Sequence, residues 1–156
     1  GTCARRIAKD AGASQQVIDE AFTAALLHDV GVLVLAANKP DDYARVLDLM
    51  RTKPSPDWAA EREVFGADHA HVGAYLLGLW GLGDGIIEAV AFHQHPGECQ
   101  ASGFTAVTAV HVGNAIAEQQ AHGEAGKTDL AGVDHAYLSR EQLLPRLSGW
   151  RALCAA

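Results

Sequence analysis

The stretch that decides the fold is LLHDVGVLVLA, Leu26 to Ala36. Its second half, VLVL, is short and apolar enough to be a buried strand. Strand patterns are almost absent elsewhere, whereas apolar residues at i, i+3, i+4 and i+7 recur along the chain, so the stretch reads as helix. That reading makes the whole chain all-α. It also leaves a question of charge, because His28 and Asp29 stand in an otherwise apolar run. An ionised Asp buried without a partner costs several kcal/mol or shifts its pKa until it neutralises. The pair is therefore either part of a metal site or a satisfied core contact.

Upstream, residues 2–10 fit a helix that stops near Gly12, and Ser14 is placed to cap the next one, which carries Val17, Ile18, Phe22 and Leu26 up to His28. Gly31 marks a weak point before the helix continues to Asn38. Further helices are expected over 41–51, over 56–65 with Ser55 as cap, over 69–80 with Asp68 as cap, over 85–95 and over 104–122. Residues 53–57 (KPSPD) read as a turn, GLGDG as a loop, and 123–132 as a loop of mixed charge. Ser139-x-x-Gln142 reads as a capping box before a last helix that Pro145 interrupts, with a frayed tail after about Ser148. The expectation is one domain over 1–156, an all-α bundle of about seven to eight helices. Trp80, Leu76, Phe92, Leu26 and Phe22 fall on apolar stripes and are its expected core.

Composition narrows the function classes. The 156 residues are 49% apolar and 20% charged, an ordinary globular mixture. The net charge of −7 weighs against nucleic acid as a partner, since phosphate binding needs clustered Lys and Arg. The one short basic cluster, Arg5-Arg6 with Lys9, adjoins Asp10. Cys3, Cys99 and Cys154 form no C-x-x-C and are odd in number, so reduced thiols and a cytoplasmic setting are expected. No run reaches 18 uninterrupted apolar residues, so no membrane span is expected. The opening GTCARRIAKDAG lacks the apolar core of a signal peptide and looks like the interior of a helix, as if the chain began inside a larger protein.

The unusual count is eight histidines: His28, His69, His71, His93, His95, His111, His122 and His135. Helical phase decides which can meet. His28 shares a face with Ala21, Ala24 and Ala25, small residues that admit a close neighbour. Asp29, about 100° round the helix, can border the same cavity. His69 is in phase with Val72, Gly73 and Leu76, His93 with Ile86, Ala89 and Val90, and His111 with Phe104, Val107 and Ala115. The other four histidines fall at solvated or capping positions. A single inward His is ordinarily a core residue bonded to a backbone carbonyl. Four inward sites that include an Asp are what a metal cage supplies, since the cation offsets the desolvation of the carboxylate.

These residues also carry a resemblance. LLHDVG, then AEREVFGADHAHVGAYLLGLWGL, then IIEAVAFHQHP, closely resembles the HDOD domain, the HD-related output domain of bacterial signalling proteins. The resemblance spans about 21–117 and is most specific over 61–77. It implies an HD-type helical bundle. Active HD-superfamily members are metal-dependent phosphohydrolases, and the related HD-GYP proteins hydrolyse cyclic di-GMP. Position by position, His28 and Asp29 match the His-Asp doublet, His69 the His that opens the following helix, and His93 a His of the later pair. His111 falls where hydrolases place a last Asp. The implied metal set is therefore His28, Asp29, His69, His93 and His111, holding a divalent ion such as zinc, manganese, iron or magnesium.

The departures bear on catalysis. The His that precedes the doublet in hydrolases would lie just before Gly1, the Lys of HD-GYP proteins is Val32, the GYP signature after His93 is absent, and the last Asp is His111. The N-terminal helical half of HDOD domains is also missing. Two functions follow from the resemblance. One is a non-catalytic output domain that binds other domains or signalling proteins, or self-associates. The other is a phosphohydrolase acting on a nucleotide or cyclic dinucleotide, with Asp29 bridging the metal and the ion activating a water.

Overall fold

The computed structural model describes residues 1–53, 55–122 and 130–155. Among these the chain is all-helical, as expected. Its elements are α1 (Thr2–Asp10), α2 (Gln15–Leu27), α3 (Val30–Asn38), α4 (Pro40–Thr52), α5 (Asp57–Phe65), α6 (His69–Leu79), α7 (Asp84–Phe92), α8 (Ala106–Ala121), α9 (His135–Arg140) and α10 (Leu147–Ala155), with 3-10 turns at Pro96–Glu98 and Leu144–Arg146. The larger number of helices reflects finer breaks, above all between α2 and α3, where His28 and Asp29 form the joint. The mixed-charge loop expected over 123–132 lies mostly outside the described residues, as does Pro54 of the KPSPD turn.

Local chemistry sets these boundaries. The Ser14 hydroxyl accepts the Val17 N–H at the start of α2, and Asp68 accepts the His71 N–H at the start of α6. Thr105 and Thr108 cap each other reciprocally ahead of α8. Ser55 caps nothing: its hydroxyl donates to the Lys53 carbonyl, and Asp57 instead accepts the Trp58 N–H. The Ser139–Gln142 capping box does not form either. Ser139 lies inside α9, which Asp134 caps through the Tyr137 N–H, and Gln142 turns the chain with φ 60°. The tail does not fray at Ser148 but forms α10.

Helix α8 is the hub. Val107, Ala109, Val110, Val112, Ala115 and Ile116 are all buried against α1, α2, α7 and α10. Helix α6 packs between α3 and α7, and the α4–α5 hairpin leans on α3 and α6. Together α2 and α3, Gln15–Asn38, are long and apolar enough to cross a membrane by length and composition. Here α2 packs on α1, α7 and α8 and a His-Asp joint interrupts the run, while only 22% of its apolar window is buried.

The expected core needs correction. Trp80 is 63% and Leu26 62% exposed, while Phe22, Leu76 and Phe92 are half-buried. Helix α6 is apolar on nearly every face, so phase could not single out the buried one, which carries Ala70, Gly73, Ala74 and Leu77. On α2 the inner face is the small-residue face of Ile18, Ala21 and Ala24, and Leu26 points away. The large buried aromatic is Trp150 of α10, fully buried, its indole N–H donating to Asp10 at 2.9 Å. Trp150→Ala is expected to cost about 3–5 kcal/mol, the range for a buried large aromatic, and Trp80→Ala less than about 1 kcal/mol. Denaturant unfolding of the two variants checks both values.

The cysteines depart from expectation as well. Cys3 of α1 and Cys154 of α10 form a disulfide with their Cα atoms 5.2 Å apart, and Cys99 is buried and free. The bridge joins residues 151 apart in sequence, so it closes nearly the whole chain into one loop. In the chain-entropy picture a loop of that length stabilises the fold by about 5 kcal/mol.

Candidate metal centre

Four helix ends meet at one place. His28 ends α2, Asp29 precedes α3, His69 opens α6 and His93 ends α7. Two glycines let the helices come so close. A Cβ on Gly31 would overlap the His69 carbonyl oxygen, and one on Gly73 would stand 3.3 Å from the Gly31 nitrogen. Gly31 is thus not a weak point in the helix but the contact of α3 with α6.

Each of the three imidazoles is oriented from behind. His28 Nδ1 donates to the Ala25 carbonyl at 3.1 Å and His93 Nδ1 to the Val90 carbonyl at 2.8 Å. His69 Nδ1 donates to Glu61 Oε2 at 2.7 Å, and the same carboxylate oxygen accepts the His69 backbone N–H. A carbonyl or carboxylate can only accept, so these bonds put the ring proton on Nδ1 and turn all three Nε2 lone pairs inward. There they meet the Asp29 carboxylate. His28 Nε2 lies 3.1 Å from Asp29 Oδ2, His69 Nε2 3.7 Å from Asp29 Oδ1, and His69 Nε2 3.4 Å from His93 Nε2. His28, Asp29 and His93 offer ligand atoms that all fall within 4.8 Å of one another.

Facing lone pairs repel unless a proton or a cation lies between them. With bonds of about 2.1 Å, neighbouring ligand atoms stand about 3.0 Å apart in an octahedron and about 3.4 Å apart in a tetrahedron. The 3.1 Å from His28 Nε2 to Asp29 Oδ2 suits the first and the 3.4 Å between His69 and His93 the second, while the 3.7 Å from His69 Nε2 to the other Asp29 oxygen is longer than both. Imidazoles anchored through Nδ1 to carbonyls and a carboxylate are the usual outer support of metal-bound histidines. The donor set of His28, Asp29 and His93 therefore fits a divalent ion, with His69 beside it.

Protons compete with an ion for two of these rings. Burial disfavours the Asp29 carboxylate, but the His28 hydrogen bond and the imidazoles outweigh it, and its pKa lies below the ordinary value. Burial likewise opposes His28 and His69 as cations, yet Asp29 raises the first and Glu61 the second above the usual range. Burial, with the neighbouring His28 and His69, pushes His93 down to about 4, so that ring stays neutral. Asp29 keeps 59% of its side chain exposed, whereas His69 has none and His28 17%. The cluster is thus closed behind and open at the carboxylate.

His111 does not join this convergence. Its Nδ1 donates to the His93 carbonyl at 2.7 Å and its Nε2 accepts the Asp134 N–H at 2.9 Å, so both ring nitrogens are engaged. It steadies the backbone of a cluster residue instead. One turn along α8, Asn114 faces the cluster in its place. The Asn114 Nδ2 donates to Glu118 Oε1 at 2.9 Å, which leaves Oδ1 facing His28 Nε2 at 3.1 Å. Phase could have found Asn114, since positions 111 and 114 share a face of α8. Glu61 was also overlooked as a site residue. Its fully buried carboxylate sits on a short helix, and only a fold that places it beside His69 explains its burial.

Among the other histidines, His71 is exposed and donates to Asp68, His122 donates to the Glu118 carbonyl and His135 to the Val133 carbonyl. His95 packs edge-on to Trp58 with ring centroids 4.4 Å apart.

Comparison with known proteins fits this geometry. An uncharacterized protein of Treponema pallidum (strain Nichols) is 25% identical over 95 residues, which cover 61% of this chain and 18% of that protein. A crystal structure from Shewanella amazonensis SB2B, described as "Putative phosphohydrolase", superposes with a TM-score of 0.74 at 21% identity, covering 99% of this chain and 55% of that one. The chain thus spans about half the length of the Shewanella protein and under a fifth of the Treponema protein, and the likeness to the former is one of fold. The HDOD domain family matches residues 1–96, a span that contains His28, Asp29, His69 and His93 and ends before α8, and the chain belongs to that family.

Proposed function

We propose that the chain is a signalling output domain that holds a divalent ion between His28, Asp29, His69 and His93 and acts by docking to other domains or signalling proteins, not by hydrolysis. Such an ion would act as a Lewis acid toward whatever reached it. The observation that carries the non-catalytic reading is the wall beside Asp29. Asp29 also lines a cleft of about 320 Å³ with Leu26, Leu27, Val30, Val32 and Leu33, and none of these neighbours is a Lys or Arg that could meet a phosphate. Losing one donor aimed at developing charge typically removes about 2.7–4 kcal/mol of transition-state stabilisation. His111 adds no carboxylate, and Asn114 offers only a neutral amide.

The exposure of Asp29 favours a second reading, a metal-dependent phosphohydrolase acting on a nucleotide or cyclic dinucleotide. Structural metal sites are closed, and catalytic ones keep an open position. The acidic net charge supports a partner other than nucleic acid. The cytoplasmic setting expected from reduced thiols loses that support, since Cys3 and Cys154 are bonded. The deciding experiment incubates the domain with manganese, iron(II), zinc or magnesium and a panel of phosphomonoesters and linear and cyclic dinucleotides. Turnover no faster than the metal ions alone is expected. Turnover that disappears in Asp29→Ala would promote the hydrolase.

A further inference from the structure

The first turn of α1 forms the wall behind the cluster. Cys3 lines a small cavity of about 80 Å³ together with Ala4, Ala25, His28, Gly113 and Asn114. The backbone of that turn lies directly on α8, since a Cβ on Gly113 would stand 3.3 Å from the Ala4 nitrogen and 3.4 Å from its Cα. The two ends of α1 are held differently. At its C-terminal end Asp10 accepts from Arg146 and from the Trp150 indole. Farther toward the start, Arg6 donates to the Leu153 carbonyl. Across the first turn itself runs the covalent bond from Cys3 to Cys154. Both cysteines are half-buried, whereas Cys99 is buried and unpaired.

We propose that the Cys3–Cys154 disulfide is a redox latch on the metal cluster. Closed, it holds the first turn of α1 against His28 and Asn114 and keeps the cluster in its ion-binding arrangement. Open, it removes the covalent tie between that turn and α10, and the ion is held more weakly. The inference rests on the metal reading above. The opening step is thiol–disulfide exchange with a dithiol reductant. A thiolate attacks one sulfur to give a mixed disulfide, and the second thiol of the reductant resolves it. Two electrons and two protons pass to Cys3 and Cys154, and the reductant leaves as its own disulfide.

The test uses the full chain without a His tag in three forms: oxidised wild type, wild type reduced with a trialkylphosphine that supplies the same two electrons, and the double variant Cys3→Ser, Cys154→Ser. Thiol alkylation read by intact mass confirms the state of each form, with Cys99 as internal reference. Manganese(II) affinity is then titrated, and amide exchange is followed along α1 and α8. The oxidised form is expected to bind manganese about tenfold more tightly than either open form, within the range for losing outer support of a metal ligand. Exchange should rise in the open forms at the first turn of α1 and near Asn114. Equal affinity in all three forms overturns the latch and leaves the metal site standing. Absence of manganese uptake in every form overturns the metal reading and the latch with it.

Discussion

Gly31→Ala is expected to be among the most damaging single changes in the domain. The added methyl carbon would overlap the His69 carbonyl oxygen and stand 2.8 Å from its carbon and 2.9 Å from the Gly73 nitrogen. All three are backbone atoms, so no rotamer change can relieve the clash, and α3 must move away from α6. Overpacking of this kind costs about 1–3 kcal/mol, and here the upper end or beyond is expected because the obstacle is rigid. A domain stable by only about 5–15 kcal/mol would lose a large share of that. The same displacement pulls His69 away from Asp29 and His93, so ion binding should weaken together with stability. Denaturant unfolding measures the first effect and metal titration the second. A loss below about 1 kcal/mol would mean that the two helices do not approach as described.

The second large effect concerns the ligands themselves. Asp29→Ala and His93→Ala should each weaken divalent-ion binding by more than about 100-fold, because even outer partners of metal ligands are worth about 10–100-fold. Glu61→Ala should fall in that outer range. It removes the acceptor of both the His69 ring and the His69 backbone N–H, and leaves a fully buried donor unpaired. His111→Ala should leave ion affinity nearly unchanged at some cost in stability, since both its nitrogens serve the backbone. Isothermal titration of the four variants separates these classes. An affinity loss in His111→Ala as large as that in His93→Ala would put His111 back among the ligands.

Much of this was legible in the residues. The 3.6-residue pattern and the caps at Ser14 and Asp68 located the helices, and phase brought His28, His69 and His93 inward. Legibility ended where a choice depended on neighbours distant in sequence. Leu26 and Trp80 lie on apolar stripes, but those stripes are not the faces their helices bury, because close packing selected Ala and Gly faces instead. His111 and Asn114 share one face of α8, and only the positions of His93 and Asp134 decide that the histidine is used up and the amide is left facing the cluster. The Cys3–Cys154 bond joins two helices at opposite ends of the chain, and three unpaired spacings could not reveal it. The break at His28-Asp29 illustrates the same limit. The apolar run continues through it, and the joint exists because both side chains turn toward groups on α6, α7 and α8.

His28, Asp29, His69 and His93 either hold an ion together or serve only as packed, hydrogen-bonded side chains. The most direct measurement is X-ray absorption at the metal edge, combined with metal analysis, on tag-free protein loaded with zinc or manganese. The predicted result is about one equivalent of ion in a nitrogen and oxygen shell, with zinc ligands at about 2.0–2.1 Å and the outer scattering of more than one imidazole, lost in His93→Ala. Protein that takes up no ion after loading, or whose imidazole signature persists with His28 and His93 both replaced, would contradict it.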